Sequence, residues 1–157
     1  EADAILEEPG LESHYILEAV ARFKLPRATR FLSRVAEGTS SVAADARTPL
    51  ARLGDDTAIA QCVEAALKDC AGPNRYLSMR DAERLADWPP HIVREALLRR
   101  IEQAADLWRW VFLLQWFAGP ADIPLFERVE SGPDIGAADI AHQYLRGRRP
   151  SPLRRRG

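Results

Sequence analysis

The chain has 157 residues, of which 46% are hydrophobic and 29% are charged, and its formal net charge is −1. This is the composition of one ordinary globular domain, and it excludes a disordered acidic or polar chain. The charge-free run over residues 110–121 is too short to cross a bilayer, so we expect no membrane segment. No signal peptide pattern is visible, which favours a cytoplasmic location. Because the first residue is Glu1, we expect either a processed start or a piece of a longer protein.

Apolar residues recur at spacings of three and four along nearly the whole chain, and no segment alternates over strand length. Breakers such as Gly72-Pro73 and Pro89-Pro90 divide this pattern into pieces of helix length. The pattern therefore predicts an all-α protein, with Asp55 and Asp56 placed to cap one of the helices. The ten expected helices lie near residues 2–8, 11–24, 26–37, 41–53, 56–70, 75–87, 90–103, 105–118, 122–131 and 134–146.

The sequence also repeats itself at fixed shifts of 30 and 94 residues, the second being close to three periods of the first. Glycine, aspartate and arginine residues recur at the same shifts as the apolar residues, which indicates a repeated pair of helices. The matches include Val20–Phe23 with Leu50–Leu53, Arg34-Val35 with Arg128-Val129, Gly38 with Gly132, and Ala43–Asp45 with Ala137–Asp139.

The stretch PRATRFLSRVAEGTSSVAADARTPLARLGDDTAIAQCVEAAL, residues 26–67, resembles bacterial HEAT repeats, including the HEAT-like repeats of the phycobilisome-lyase type. Residues 2–23 and 121–147 resemble the same unit: a helix, a short turn and an Ala-rich second helix. The family often has a Val-Arg pair at the start of the second helix. Here Val42 and Ile135 match the aliphatic position, but Ala43 and Gly136 follow them.

The resemblance implies an α-solenoid, a HEAT-like superhelix of about five antiparallel helix pairs. We expect it to occupy residues 1–147, with degenerate pairs over residues 73–118 and a break in regular stacking over residues 71–92. A lone pair of short amphipathic helices cannot bury its apolar face, whereas stacked pairs form a continuous core. The alternative is an irregular helical bundle.

The predicted helix over residues 105–118 is apolar on nearly all sides and holds three of the four tryptophans. Such a helix is expected to be the most deeply buried one. Trp108 and Trp110 lie on different faces, so one of them is a candidate aromatic anchor for a partner. The alternative is that both are core side chains.

Residues at equivalent positions of the second helices form a candidate binding face, because such helices line the concave surface of a solenoid. We expect Arg22 and Arg52 to share one exposed face, about 10 Å apart. The alternative for the arginines is that they favour the helix dipole at a C-terminal turn. The candidate residues are Glu18, Thr48 and His142 at one position, and Arg22, Arg52 and Arg146 one turn later.

Residues 148–157 form a basic tail rich in arginine and proline. It is suited to an acidic surface or nucleic acid, or it is a solubilising extension. Its arginines are Arg148, Arg149, Arg154, Arg155 and Arg156.

No constellation for catalysis, a metal or a cofactor is visible, so none is expected. Each histidine falls in a different predicted helix pair, and Cys62 and Cys70 are separated by about 12 Å of helix rise. The sequence therefore favours a non-catalytic scaffold that binds a protein or peptide. Nucleic-acid binding is the alternative. A further hypothesis, that the chain is an enzyme such as a chromophore lyase or an alkylpurine DNA glycosylase, rests on fold analogy alone.

Overall fold

A computed structural model describes residues 14–22, 27–38, 42–72 and 76–147 of the chain. These residues form nine α-helices and one short 3-10 helix, and they contain no strand, which confirms the all-α prediction. The predicted helix over residues 2–8 and the basic tail over 148–157 lie outside the described residues. The helices are α1 His14–Arg22, α2 Ala28–Glu37, α3 Ala43–Arg52, α4 Asp56–Cys70, α5 Met79–Leu85, α6 Pro90–Gln103, α7 Trp108–Leu114, α8 Ile123–Glu130 and α9 Ile135–Leu145, with the 3-10 helix at Pro120–Asp122.

Local signals explain why several helices begin where the sequence predicts. The carboxylate of Asp55 accepts a hydrogen bond from the Ala58 amide at 2.8 Å, so α4 begins at Asp56. Pro90 occupies the first turn of α6, where its missing N–H leaves no intrahelical bond unmade. Helix α5 is shorter than predicted because Ser78 and Asp81 form a capping box, which starts the helix at Met79.

The chain divides into two units, Glu1–Cys62 and Val63–Gly157, and the boundary lies within α4. In the first unit, α2 and α3 pack as a pair, and α1 packs on α3 more extensively than on α2. Their buried side chains include Leu17 and Val20 on α1, Phe31, Leu32 and Val35 on α2, and Ala46 and Leu50 on α3.

In the second unit, α6 packs on α7, α8 packs on α9, and α9 also contacts α7. The rings of Phe126 on α8 and Tyr144 on α9 stack with their centroids 4.0 Å apart. Helix α7 has four buried residues among its seven, the largest share of any described helix, as its all-round apolar sequence predicts.

Helices α2–α3 and α8–α9, which the shift of 94 residues aligns in the sequence, have some local features in common. The Gly38 amide donates to the Val35 carbonyl at 3.1 Å, and the Gly132 amide donates to the Val129 carbonyl at 3.0 Å. Equivalent positions are also buried in both pairs: Leu32 and Phe126, Val35 and Val129, Ala43 and Ala137, and Leu50 and Tyr144.

One carboxylate joins the beginnings of α7 and α9. Asp134 caps α9 by accepting from the Ala137 amide at 3.0 Å, and its other oxygen accepts from the amides of Leu107 at 3.0 Å and Trp108 at 3.2 Å. The close approach depends on Gly136, where an added Cβ would lie 3.3 Å from the Trp108 Cβ. Asp134 thus satisfies backbone donors of two helices at once.

We expect Asp134→Ala to lower the free energy of unfolding by about 2 kcal/mol, because two helix ends lose their cap. Ser78→Ala, which removes part of a cap from α5 alone, is the matched control, with an expected loss of about 1 kcal/mol or less. Urea unfolding followed by tryptophan fluorescence reports the second unit, where all four tryptophans lie. Equal losses in the two variants would contradict the double-cap role.

Candidate functional site

The candidate binding residues of the first unit lie on α1 and α3. Arg52 of α3 forms an ion pair with Glu18 of α1, with 2.5 Å between Nη1 of Arg52 and Oε2 of Glu18. Arg22 is exposed at the end of α1, and the Arg52 side chain is 59% exposed. Because the Glu18–Arg52 pair faces solvent, it contributes at most about 1 kcal/mol to stability. Its value here is that it shows which surfaces of α1 and α3 meet.

Thr48 faces the thiol of Cys62, with 4.0 Å between Oγ1 and Sγ. Partial burial raises the pKa of the Cys62 thiol, while the Thr48 hydrogen bond and the charges of Arg47 and Arg52 act in the opposite direction and do not offset it. The thiol is therefore protonated at neutral pH and is a poor nucleophile or metal ligand in that form.

His142 and Arg146, the remaining candidates for the same face, belong to α9 and its C-terminal cap in the second unit. His142 Nδ1 lies 2.5 Å from Oε1 of Glu130, which links α9 to α8 at a partly exposed position. Arg146 is exposed. Within the first unit, the structure brings Glu18 and Arg52 together. In the second unit, His142 pairs with Glu130, which is not one of the candidate residues predicted from the repeat.

The two candidate aromatic anchors have different environments. Trp110 is 6% exposed and lies beneath Arg100, whose guanidinium carbon is 5.8 Å from the ring centroid. Trp108 is half-buried, with the Arg109 guanidinium carbon 5.2 Å from its ring. Trp110 is thus a core side chain that offers no exposed ring, because α7 contacts both α6 and α9. Only Trp108 keeps an exposed part.

A cleft of about 560 Å³ opens in the second unit, and its volume falls in the range typical of ligand pockets. Most of the lining residues belong to α6 and α8, and residues just before α7 and just after α8 complete it. The lining residues are Leu98, Ile101, Glu102, Leu107, Leu125, Arg128, Val129, Gly132 and Pro133.

Two opposite charges lie at this cleft. Glu102 and Arg128 are both exposed, and neither makes a hydrogen bond or an ion pair with another residue in the described ranges. The apolar lining is therefore bordered by one anion and one cation that are available to a ligand.

A partly buried ion pair connects the two helices that line the cleft. Arg94 of α6 binds both carboxylate oxygens of Asp122, with Nε–Oδ2 at 2.8 Å and Nη2–Oδ1 at 2.5 Å. Asp122, which immediately precedes α8, is 3% exposed and also accepts from the Gly119 amide at 2.8 Å. Such a bidentate, charge-assisted contact fixes both distance and orientation.

The environment of Asp122 determines its protonation. Burial acts to raise the pKa of its carboxyl, but the hydrogen bonds from Arg94 and from the Gly119 amide outweigh that effect and hold the pKa below its usual value. Asp122 is therefore ionised at neutral pH, which keeps the ion pair intact.

Sequence reasoning missed this cleft. Its lining comes from residues 98 to 133, and its half-buried leucines have the same helical spacing as core leucines. Gly132 and Pro133 are residue types typical of a turn, but nothing in the sequence indicates that this turn borders a cleft.

None of the described helices is both long and apolar enough to cross a bilayer. In the ranges the structure describes, no three His, Cys, Asp or Glu side chains are grouped so that they could hold a metal ion. Comparisons with protein-family models, with curated proteins and with solved structures find no match to this chain.

We expect Asp122→Ala to lower the free energy of unfolding by about 2 kcal/mol, because Arg94 and the Gly119 amide both lose their acceptor. The pH dependence follows from the lowered pKa of Asp122. The contribution of the pair is complete above the ordinary aspartate pKa, about 3.9, and is lost as pH falls through the lower pKa of the folded state.

Urea unfolding at pH values from 7 to 2, followed by tryptophan fluorescence, measures this effect. Asp122→Asn should be less stable at pH 7 and should lose less further stability on acidification than the unsubstituted protein. Asp87→Asn, at an exposed position, is the control and should leave the profile unchanged. Parallel pH profiles for Asp122→Asn and the unsubstituted protein would contradict the assignment.

Proposed function

We propose that the chain is a non-catalytic protein–protein interaction scaffold built from HEAT-like helical repeats, in a larger cytoplasmic bacterial protein. The observation that carries this proposal is a set of local features that α2–α3 and α8–α9 have in common at matched positions. The turns at Gly38 and Gly132 make the same backbone hydrogen bond, and four matched positions are buried in both pairs. Repeated helix pairs of this kind generate extended surfaces that bind partners.

The helix contacts within each unit support the same proposal. In a stack of helix pairs, the second helix of one pair contacts the second helix of the next. The repeat comparison predicts α1 and α3 as second helices in the first unit, and α7 and α9 in the second. In each unit these two helices are in contact.

On this proposal, the surface shared by α1 and α3 is a binding face. Arg22 and Arg52 are exposed there, and Glu18 adds a negative charge beside Arg52. A mixed surface of this kind complements a protein surface that also carries both signs of charge.

Nucleic-acid binding is the competing proposal, and the exposure of Arg22 and Arg52 favours it. The pairing of Arg52 with Glu18 weakens it, because part of the positive charge is already neutralised. A nucleic-acid site would depend on phosphate contacts and would lose affinity steeply with added salt.

Photo-crosslinking in the source cells tests the proposal and separates the two partner classes. A photoreactive benzoylphenylalanine at position 22 should give a discrete adduct that protease digests and nuclease does not. The same residue at position 30, exposed on α2, is the control and should not give that adduct. A nuclease-sensitive adduct at position 22 would support nucleic-acid binding instead, and identical adducts at both positions would contradict a specific face.

The double variant Arg22→Glu/Arg52→Glu should lose the partner identified by crosslinking while remaining folded. It places a second carboxylate beside Glu18, so its expected stability cost is about 1 kcal/mol. Arg30→Glu is the matched charge reversal and should retain the partner. A circular-dichroism melt checks that both variants are folded, and full binding by the folded double variant would exclude this face.

A further inference from the structure

The cleft in the second unit has the chemistry of a peptide-binding groove. It combines an apolar lining that includes Leu98, Leu125 and Pro133 with two charged side chains of opposite sign, Glu102 and Arg128. Ile135, two residues after Pro133, lies outside this lining and is 86% exposed. Apolar surface with convergent polar groups is typical of a binding site.

We propose that this cleft binds an amphipathic helix of a protein partner. The helix presents two large apolar side chains about one turn apart to the cleft, with an acidic residue toward Arg128 and a basic residue toward Glu102. This inference rests on the proposed function as a protein-interaction scaffold, and it assigns that function a second site and a partner chemistry.

Charge complementarity favours a peptide over a lipid. The carboxylate of an acyl chain would pair with Arg128, but its hydrocarbon carries no group that could pair with Glu102. A peptide carries both signs of charge and can pair with both residues at once.

The backbone around the cleft favours a helical peptide over an extended one. An extended peptide needs backbone partners for its own N–H and C=O groups. Here the Leu107 amide donates to Asp134, the Gly132 amide donates to Val129, and Pro133 has no amide hydrogen. Leu98 lies inside α6, where its backbone groups bond within the helix, and the Val129 carbonyl already accepts from Gly132. A helix satisfies its own backbone and needs only the side-chain contacts that the cleft offers.

Selection from a displayed library of random 16-residue peptides against the full chain tests the inference. We expect enriched sequences to carry two large apolar residues three or four positions apart, together with an acidic and a basic residue. A synthetic peptide of the enriched sequence should bind at least about tenfold more weakly to Leu125→Asp and to Arg128→Glu.

Two matched controls separate loss of the site from loss of the fold. Leu145→Asp changes a half-buried leucine that does not line the cleft, and Arg30→Glu reverses an exposed charge in the first unit. Both should bind the peptide as the unsubstituted protein does. Because Arg128 is exposed, Arg128→Glu should remain folded even where Leu125→Asp does not.

A second selection, against Arg128→Glu, gives the sharpest result. The acidic position of the enriched peptides should change to Lys or Arg, because the cleft residue that it faces has changed sign.

No enriched peptide, or enriched peptides that bind Leu125→Asp and Arg128→Glu with unchanged affinity, would overturn the inference. Binding of dodecanoate that is lost in Leu125→Asp, without any enriched peptide, would also overturn it and indicate an amphiphile site. The crosslinking result at position 22 is independent of all these outcomes, so failure at the cleft is distinguishable from failure of the scaffold function.

Discussion

The carboxylate of Asp134 is the contact on which the organisation of the second unit most depends. It accepts hydrogen bonds from the beginnings of α7 and α9 together, and these two helices are far apart in sequence. A helix beginning leaves backbone N–H groups without intrahelical partners, and a buried one needs acceptors from elsewhere. By supplying them to two helices at once, Asp134 fixes where α7 begins relative to α9. Gly136 allows the approach, because any Cβ there would be crowded against Trp108.

The hydrogen bonds of Asp134 also involve residues that line the cleft. Leu107, which donates to Asp134, and Pro133, which precedes it, both line the cleft. The Arg94–Asp122 ion pair connects the two helices that supply most of the lining, since Arg94 lies on α6 and Asp122 immediately precedes α8. The side chains of Asp134 and Asp122 therefore hold the elements around an apolar cleft whose own charged residues, Glu102 and Arg128, are left available. Preorganised walls lower the cost of ordering when a partner binds.

Much of the fold could be predicted from the sequence because its signals are local. The bounds of α4 and α6 match the prediction to the residue, since Asp55 and Pro90 mark their first turns. Helix α7 was expected to begin near residue 105. It begins at Trp108, because its cap comes from Asp134, a residue that local spacing could not connect to it.

The candidate sites were harder to predict for the same reason. The sequence comparison placed Glu18 and Arg52 at two different positions of the repeat, so it did not predict a contact between them. Only the packing of α1 on α3 shows that they form an ion pair. In a helix that is apolar on all sides, the sequence does not distinguish a buried Trp110 from a half-buried Trp108, because burial depends on which neighbours cover each face. The cleft is formed by tertiary contacts, and nothing in the sequence distinguishes its apolar residues from those of the core.

Hydrogen exchange at three backbone amides tests most directly whether Asp134 holds the two helix beginnings together. Asp134→Ser keeps a side-chain oxygen that can cap α9, but it has no second oxygen for α7. Protection of the Leu107 and Trp108 amides should fall by about tenfold or more, while the Ala137 amide stays protected within a factor of about three. Unchanged protection at Leu107 and Trp108 in a folded Asp134→Ser protein would contradict the role given to Asp134.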